Sequence, residues 1–183
     1  MMIHNTALIL IDPQVNMFDP DCAVHDAPRL LLRLEHLLHQ ARQAQVSVVF
    51  IQHNGGPGDP DEPGTEGWHI HPQLQPLPDE VVIEKQHPNA FEGTRLHQTL
   101  QANNMTHLII AGMQTEMCVD ATCQAAIQHE YVVTVMADAH STFSDESLSA
   151  EDSIARHNAR WAQTMSVKHS TDNDIFSVVN EVV

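Results

Sequence analysis

The run His107-Leu108-Ile109-Ile110-Ala111-Gly112-Met113-Gln114-Thr115-Glu116-Met117-Cys118-Val119-Asp120-Ala121-Thr122-Cys123-Gln124-Ala125-Ala126 decides how this chain is read. Leu108 to Ala111 is continuously apolar and too short for a helix, as a strand buried on both faces is. Gly112 breaks it, and from Cys118 the pattern becomes alanine-rich and helical to about His129. The stretch reads as a strand that turns sharply and presents a thiol at a helix start. Unpaired backbone N–H groups and the positive end of the helix dipole favour thiolate there, which makes Cys118 a candidate nucleophile. The competing reading is a buried structural cysteine, the usual state of a free cysteine.

Similar strand-like runs lie on either side. Thr6-Ala7-Leu8-Ile9-Leu10-Ile11 stops at Asp12-Pro13-Gln14, 46–51 is a second β-branched run, and Val81-Val82-Ile83 ends at Glu84-Lys85. Residues 131–137 and 166–169 supply a fifth and a sixth. Between them, 28–44 repeats leucine at 30, 31, 34, 37 and 38 behind a first-turn proline, an amphipathic helix. Further helices are expected over 94–103, over 150–162 behind a Ser149 cap, and over 172–182 with Thr171 as cap. Strands alternating with helices predict an α/β fold: a three-layer α/β/α sandwich around a six-stranded, mainly parallel, doubly wound sheet, with 3-2-1-4-5-6 taken as the order such sheets commonly have. Ligands of such sheets bind beyond the carboxyl ends of the strands. Asp12, Lys85 and Cys118 follow the ends of strands one, three and four, so all three converge on one rim.

Composition narrows the partners. The 183 residues read as one domain, 1–183, with a net charge of −16 that argues against nucleic acid or an anionic membrane as partner. No apolar run is long enough to cross a bilayer, and the start does not look like a signal peptide, so a cytoplasmic protein is expected. Three cysteines, Cys22, Cys118 and Cys123, are too few and too irregular for a disulfide framework. The glycine- and proline-rich segment 54–78 is long enough to carry function or a subunit contact.

Several segments together resemble the isochorismatase-like cysteine hydrolases, the family of nicotinamidases, N-carbamoylsarcosine amidohydrolases and ureidoacrylate hydrolases. They are Leu8 to Gln14, Glu84-Lys85 followed by Asn89-Ala90-Phe91-Glu92-Gly93-Thr94-Arg95-Leu96, Gly112 to Val119, Ala137-Asp138-Ala139, and His157-Asn158. The resemblance implies an Asp12–Lys85–Cys118 triad and an oxyanion hole from the N–H groups of Gln114 and Cys118. It also implies a cis peptide between Met113 and Gln114, and hydrolysis of a small carboxamide, carbamoyl or ureido C–N bond through a thioacyl-enzyme. Asp12 takes the thiol proton and Lys85 holds the charge balance. Assembly as a homodimer or homotetramer is implied too, with the 54–78 loop and the His157-Asn158 helix as contact surfaces.

The remaining candidates concern the pocket. Phe18, Trp68 and Phe91 are expected as its apolar walls, and Gln14 as a substrate hydrogen-bond partner. No cofactor is expected. A divalent metal on His53, His69 and His71 defines the alternative, a metal-dependent nicotinamidase-like amidase, although position 51 lacks the aspartate that such members carry. A binding protein that keeps the fold without the chemistry is the rival of another class.

Overall fold

The computed structural model describes residues 5–172 and 175–176. Six strands form one sheet: β1 (Thr6–Ile11), β2 (Ser47–His53), β3 (Val81–Lys85), β4 (His107–Met113), β5 (Val132–Ser141) and β6 (Ser166–Lys168). Their spatial order is β3-β2-β1-β4-β5-β6, and every pairing is parallel. The expected order thus holds, and the sheet is parallel throughout rather than mainly so. Order reverses between β1 and β4, the switch point where ligands of this architecture bind.

Alternation along β1 shows why both faces are apolar. Leu8 and Leu10 pack with Leu30, Leu34, Leu37 and Leu38 of helix α1 (Ala27–Gln43). Ala7, Ile9 and Ile11 face the opposite layer, with Leu96 and Leu100 of α2 (Leu96–Ala102), Cys123 and Ala126 of α3 (Asp120–Gln128) and Trp161 of α4 (Ala150–Trp161). Helices therefore cover both faces, the condition for strands that read as unbroken apolar runs. Ser149 caps α4, accepting a hydrogen bond from the Asp152 N–H at 3.1 Å, as its sequence signature requires. The expected helix over 172–182 lies mostly outside the described residues. Among the described residues no helix is long and apolar enough to cross a membrane.

The turn after β4 departs from expectation. Thr115–Val119 forms a π-helical turn, in which Val119 N–H donates to the Gln114 carbonyl at 3.1 Å, and α3 begins only at Asp120. Cys118 therefore sits inside a widened turn and not at the first residue of the helix. Such single π turns inside helices are frequent at functional sites. Gly112 has φ +128°, and a side chain there would overlap the Ile11 backbone. Glycine is thus what lets the ends of β4 and β1 approach, and that approach sets Asp12 beside the Cys118 turn.

Candidate active site

Asp12 leaves β1 with φ 49°, a left-handed conformation uncommon outside glycine, its N–H held by the Ile51 carbonyl at 2.9 Å. Its side chain is 2% exposed. One oxygen, Oδ2, meets Lys85 Nζ at 2.9 Å, while Oδ1 is buried and has no hydrogen-bond partner. Burial raises the Asp12 pKa, against the opposing pull of Lys85.

Lys85 ends β3, two strands from β1, yet its ammonium reaches the switch point across the top of β2. Its three protons have three acceptors: Asp12, the Cys118 sulfur at 3.1 Å and His53 Nδ1 at 3.1 Å. An ammonium has no acceptor capacity, so His53 Nδ1 accepts and its proton sits on Nε2. Burial works against the charge on Lys85, but Asp12 and Cys118 together outweigh it and hold the pKa above its usual value. The His53 ring is thus occupied as Lys85's third partner, a role its sequence context did not reveal.

Cys118 is 9% exposed. Burial pushes its thiol up to about 12, with Asp12 adding to the rise and Lys85 only partly countering it. The expectation that the helix start favours thiolate is corrected: the turn is π-helical, the sulfur is desolvated, and a carboxylate stands beside it. Burial and the neighbouring carboxylate thus favour thiol over thiolate, with Asp12 beside the sulfur.

A cavity of about 330 Å³ opens above this cluster, lined by Asp12, Met17, His53, Asp61, Gln86, Pro88, Gln114, Met117 and Cys118. The Met113–Gln114 peptide bond at its floor is cis. Three larger depressions, of about 410, 440 and 410 Å³, lie elsewhere; the first sits against Ala7 and Ser47, at the amino ends of β1 and β2. Chemistry-bearing groups at the switch point, not volume, single out the smaller cavity.

Four of the expected pocket residues are not in it. Gln14 is buried and fully used by backbone, donating to the carbonyls of His53 and Trp68 and accepting from His53 N–H at 2.7 Å. It braces β2 against the following loop and, fully buried, is not among the residues that line the cavity. Trp68 lines a separate depression with Gln52 and His69, its indole N–H donating to Asn54 Oδ1 at 2.7 Å. Phe91 packs in the α2–α3 layer, and Phe18 packs on the α1 side against His71. Cavity walls come from Met17 and Met117 instead, whose flexible side chains gave no periodic signal. Among the described residues no three His, Cys, Asp or Glu side chains are grouped to hold a metal. His53 faces Lys85, while His71 Nδ1 accepts from Gln73 N–H at 3.3 Å, so the set with His69 is not assembled.

A second buried network backs the Cys118 turn. His140 of β5, 3% exposed, joins Thr115 Oγ1 at 2.8 Å and Asn158 Oδ1 at 3.0 Å; the Asn158 amide donates to the Ala137 carbonyl. Since Asn158 presents oxygen to the ring, Nε2 carries the proton and Nδ1 accepts from Thr115. The Asn158 side chain is thus engaged with β5 through both its oxygen and its amide. His140 was not distinguishable among fourteen histidines in sequence, and its side chain is found only through β5 running on to Ser141.

A parallel switch-point sheet with a buried carboxylate–ammonium–thiol cluster at its rim defines an α/β protein with a candidate catalytic site. Residues 6–169 match the isochorismatase domain family, and the chain belongs to it. Streptothricin hydrolase of Streptomyces noursei is 35% identical over 161 residues, covering 85% of this chain. The chain spans 58% of that relative's length. Ureidoacrylate amidohydrolase RutB of Caulobacter segnis is 26% identical over 73% of this chain and 71% of its own. Among solved structures, an isochorismatase from Pseudomonas putida KT2440 superposes with TM-score 0.86 at 27% identity, covering 93% of this chain and 90% of its own.

Proposed function

We propose that the protein is a cysteine-dependent amide hydrolase that cleaves a small carboxamide, carbamoyl or ureido C–N bond through a thioacyl-enzyme. The observation that carries this is the buried meeting of Asp12, Lys85 and Cys118 with one carboxylate oxygen left free. The names of the hydrolase relatives support the class of bond.

In the proposed cycle Asp12 Oδ1 takes the proton from sulfur as Sγ bonds to the carbonyl carbon, whose π electrons move to oxygen. The N–H groups of Gln114 and Cys118 receive that oxyanion, an arrangement in which losing one donor costs about a hundredfold or more in rate. The C–N bond then breaks, and the leaving nitrogen collects the proton from Asp12. A water gives its proton to Asp12 and its oxygen to the thioester carbon, the C–S bond breaks, and sulfur recovers the proton. Lys85 stays positive throughout and stabilises carboxylate and thiolate alike. A homodimer or homotetramer belongs to the same proposal and is read by light scattering on the eluting protein.

The test is ammonia release from a panel of carboxamides, N-carbamoyl acids and ureido acids. At least one class is turned over by wild type, and Cys118→Ala loses about a thousandfold or more. Release that survives Cys118→Ala overturns the mechanism. No release from any class, with Cys118 labelled by iodoacetamide no faster than Cys22, favours a binding protein.

A further inference from the structure

The loop above the cavity contains three acids close together, Asp59, Asp61 and Glu62, and they are used differently. Asp59 Oδ2 accepts from the Gly56 N–H at 2.7 Å, and Glu62 Oε2 accepts from the Gly58 N–H at 2.8 Å. Both carboxylates shape the turn, as acidic side chains in loops commonly do. Asp61 does not: its backbone carbonyl takes the Gly55 N–H at 2.9 Å, but its carboxylate makes no hydrogen bond or ion pair among the described residues. Yet Asp61 is only 9% exposed and lines the cavity with Asp12 and Cys118.

The loop is built to seat this carboxylate. A side chain at Gly55 would overlap Asp61 Oδ1, so a glycine there is what leaves room for it. Among the described residues no cation serves it. Lys85, the one cation of this cluster, already has its three protons on Asp12, Cys118 and His53, and no lysine or arginine occurs between Arg42 and Lys85. Its oxygens keep solvent access where Asp61 lines the cavity, so an unpaired carboxylate is held ready for a cationic ligand, which gains more from it there than in open water.

We propose that Asp61 is the recognition carboxylate of the cavity and that the substrate is an amide bearing a cationic nitrogen group, an ammonium, guanidinium or amidine. The inference rests on the hydrolase reading for the word substrate, but the charge preference of the cavity is testable without turnover. A carboxylate-bearing amide finds no free cation in the lining and meets two acids. The chain's charge of −16 draws cationic ligands toward the site over longer range.

The experiment compares three thiol reagents of matched reactivity on a Cys22→Ser background: 2-aminoethyl, methyl and 2-sulfonatoethyl methanethiosulfonate, which are cationic, neutral and anionic. Each converts the Cys118 sulfur to a mixed disulfide with release of a sulfinate, and the modified peptide is counted by mass spectrometry. Relative to 2-mercaptoethanol, the cation-to-anion rate ratio at Cys118 is expected to be raised about thirtyfold, and Asp61→Asn to lower it about tenfold, the scale of one charge in a partly desolvated cavity. Asp61→Ser replaces that variant if it does not fold. A wild-type ratio equal to that of the free thiol, or a ratio unmoved by either variant, overturns the proposal.

A second arm measures ammonia release from 5-aminopentanamide, pentanamide and 4-carbamoylbutanoate. Turnover favouring the amine-bearing amide supports the proposal, and turnover with no charge preference overturns it. Silence in this arm with charge-selective labelling in the first counts against the hydrolase reading and leaves the recognition role of Asp61 standing.

Discussion

Lys85 and Asp12 close strands that are not neighbours, yet their side chains meet at 2.9 Å over the end of β2, both almost wholly buried. Removing one member leaves the other as a lone buried charge, which costs about 3–5 kcal/mol, whereas removing both is often near neutral. Lys85→Met is therefore expected to lose about 3–5 kcal/mol in urea unfolding. Asp12→Asn combined with Lys85→Met is expected to regain most of that stability while remaining inactive. A double variant as unstable as the single one contradicts the pairing.

The thiol of Cys118 is pushed up to about 12 by burial and by Asp12. Thiolate absorbance near 240 nm, taken as wild type minus Cys118→Ala, is expected to stay flat through neutral and mildly alkaline pH. In an Asp12→Asn background, where the carboxylate no longer opposes it, the step moves to lower pH. A thiolate step near neutrality in the wild type contradicts the resting protonation argued above.

Gly112 stands where β4 meets the backbone of Ile11, with φ +128°. Gly112→Ala combines a strained conformation with overlap against main chain that cannot rotate away. A loss of about 2–4 kcal/mol is expected, with activity reduced further than folding alone explains, because Ile11 carries Asp12. Thermal unfolding and specific activity of the folded fraction check this. An alanine variant with wild-type stability contradicts the close approach.

His140 is kept neutral by burial, its pKa pushed down to about 4. An unfolded histidine takes its proton near pH 6.5, so between 6.5 and about 4 the unfolded state holds a proton that the native state refuses. Stability is fully present above pH 6.5 and falls as pH drops through that window, by about 3 kcal/mol at most. His140→Asn is expected to be less stable at pH 7.5 and to lose less on acidification. Urea midpoints of the two proteins from pH 7.5 to 4.5 report the difference; parallel curves contradict the assignment.

The layered parallel architecture was legible because unbroken apolar runs alternate with one-faced helices, a pattern that few architectures accept, whereas alternation alone does not choose the strand order. The meeting of Asp12, Lys85 and Cys118 was legible as convergence of strand ends. Side-chain direction was not. Trp68 and Phe91 have the composition of pocket walls, but the loop turns Trp68 toward Asn54 and the α2–α3 layer absorbs Phe91. His53 looked like a metal ligand because nothing in the sequence says that Lys85 needs a third acceptor. The π turn also escaped notice, since two i to i+5 hydrogen bonds, Val119 N–H to Gln114 and Asp120 N–H to Thr115, leave no periodic mark.

The most direct test of the central claim is the mass of the protein quenched in acid while it turns over an amide from the panel. A covalent mechanism predicts an increase equal to the acyl fragment, carried by the Cys118 peptide and absent in Cys118→Ala. Turnover with no acylated Cys118 peptide, persisting in Cys118→Ala, contradicts it.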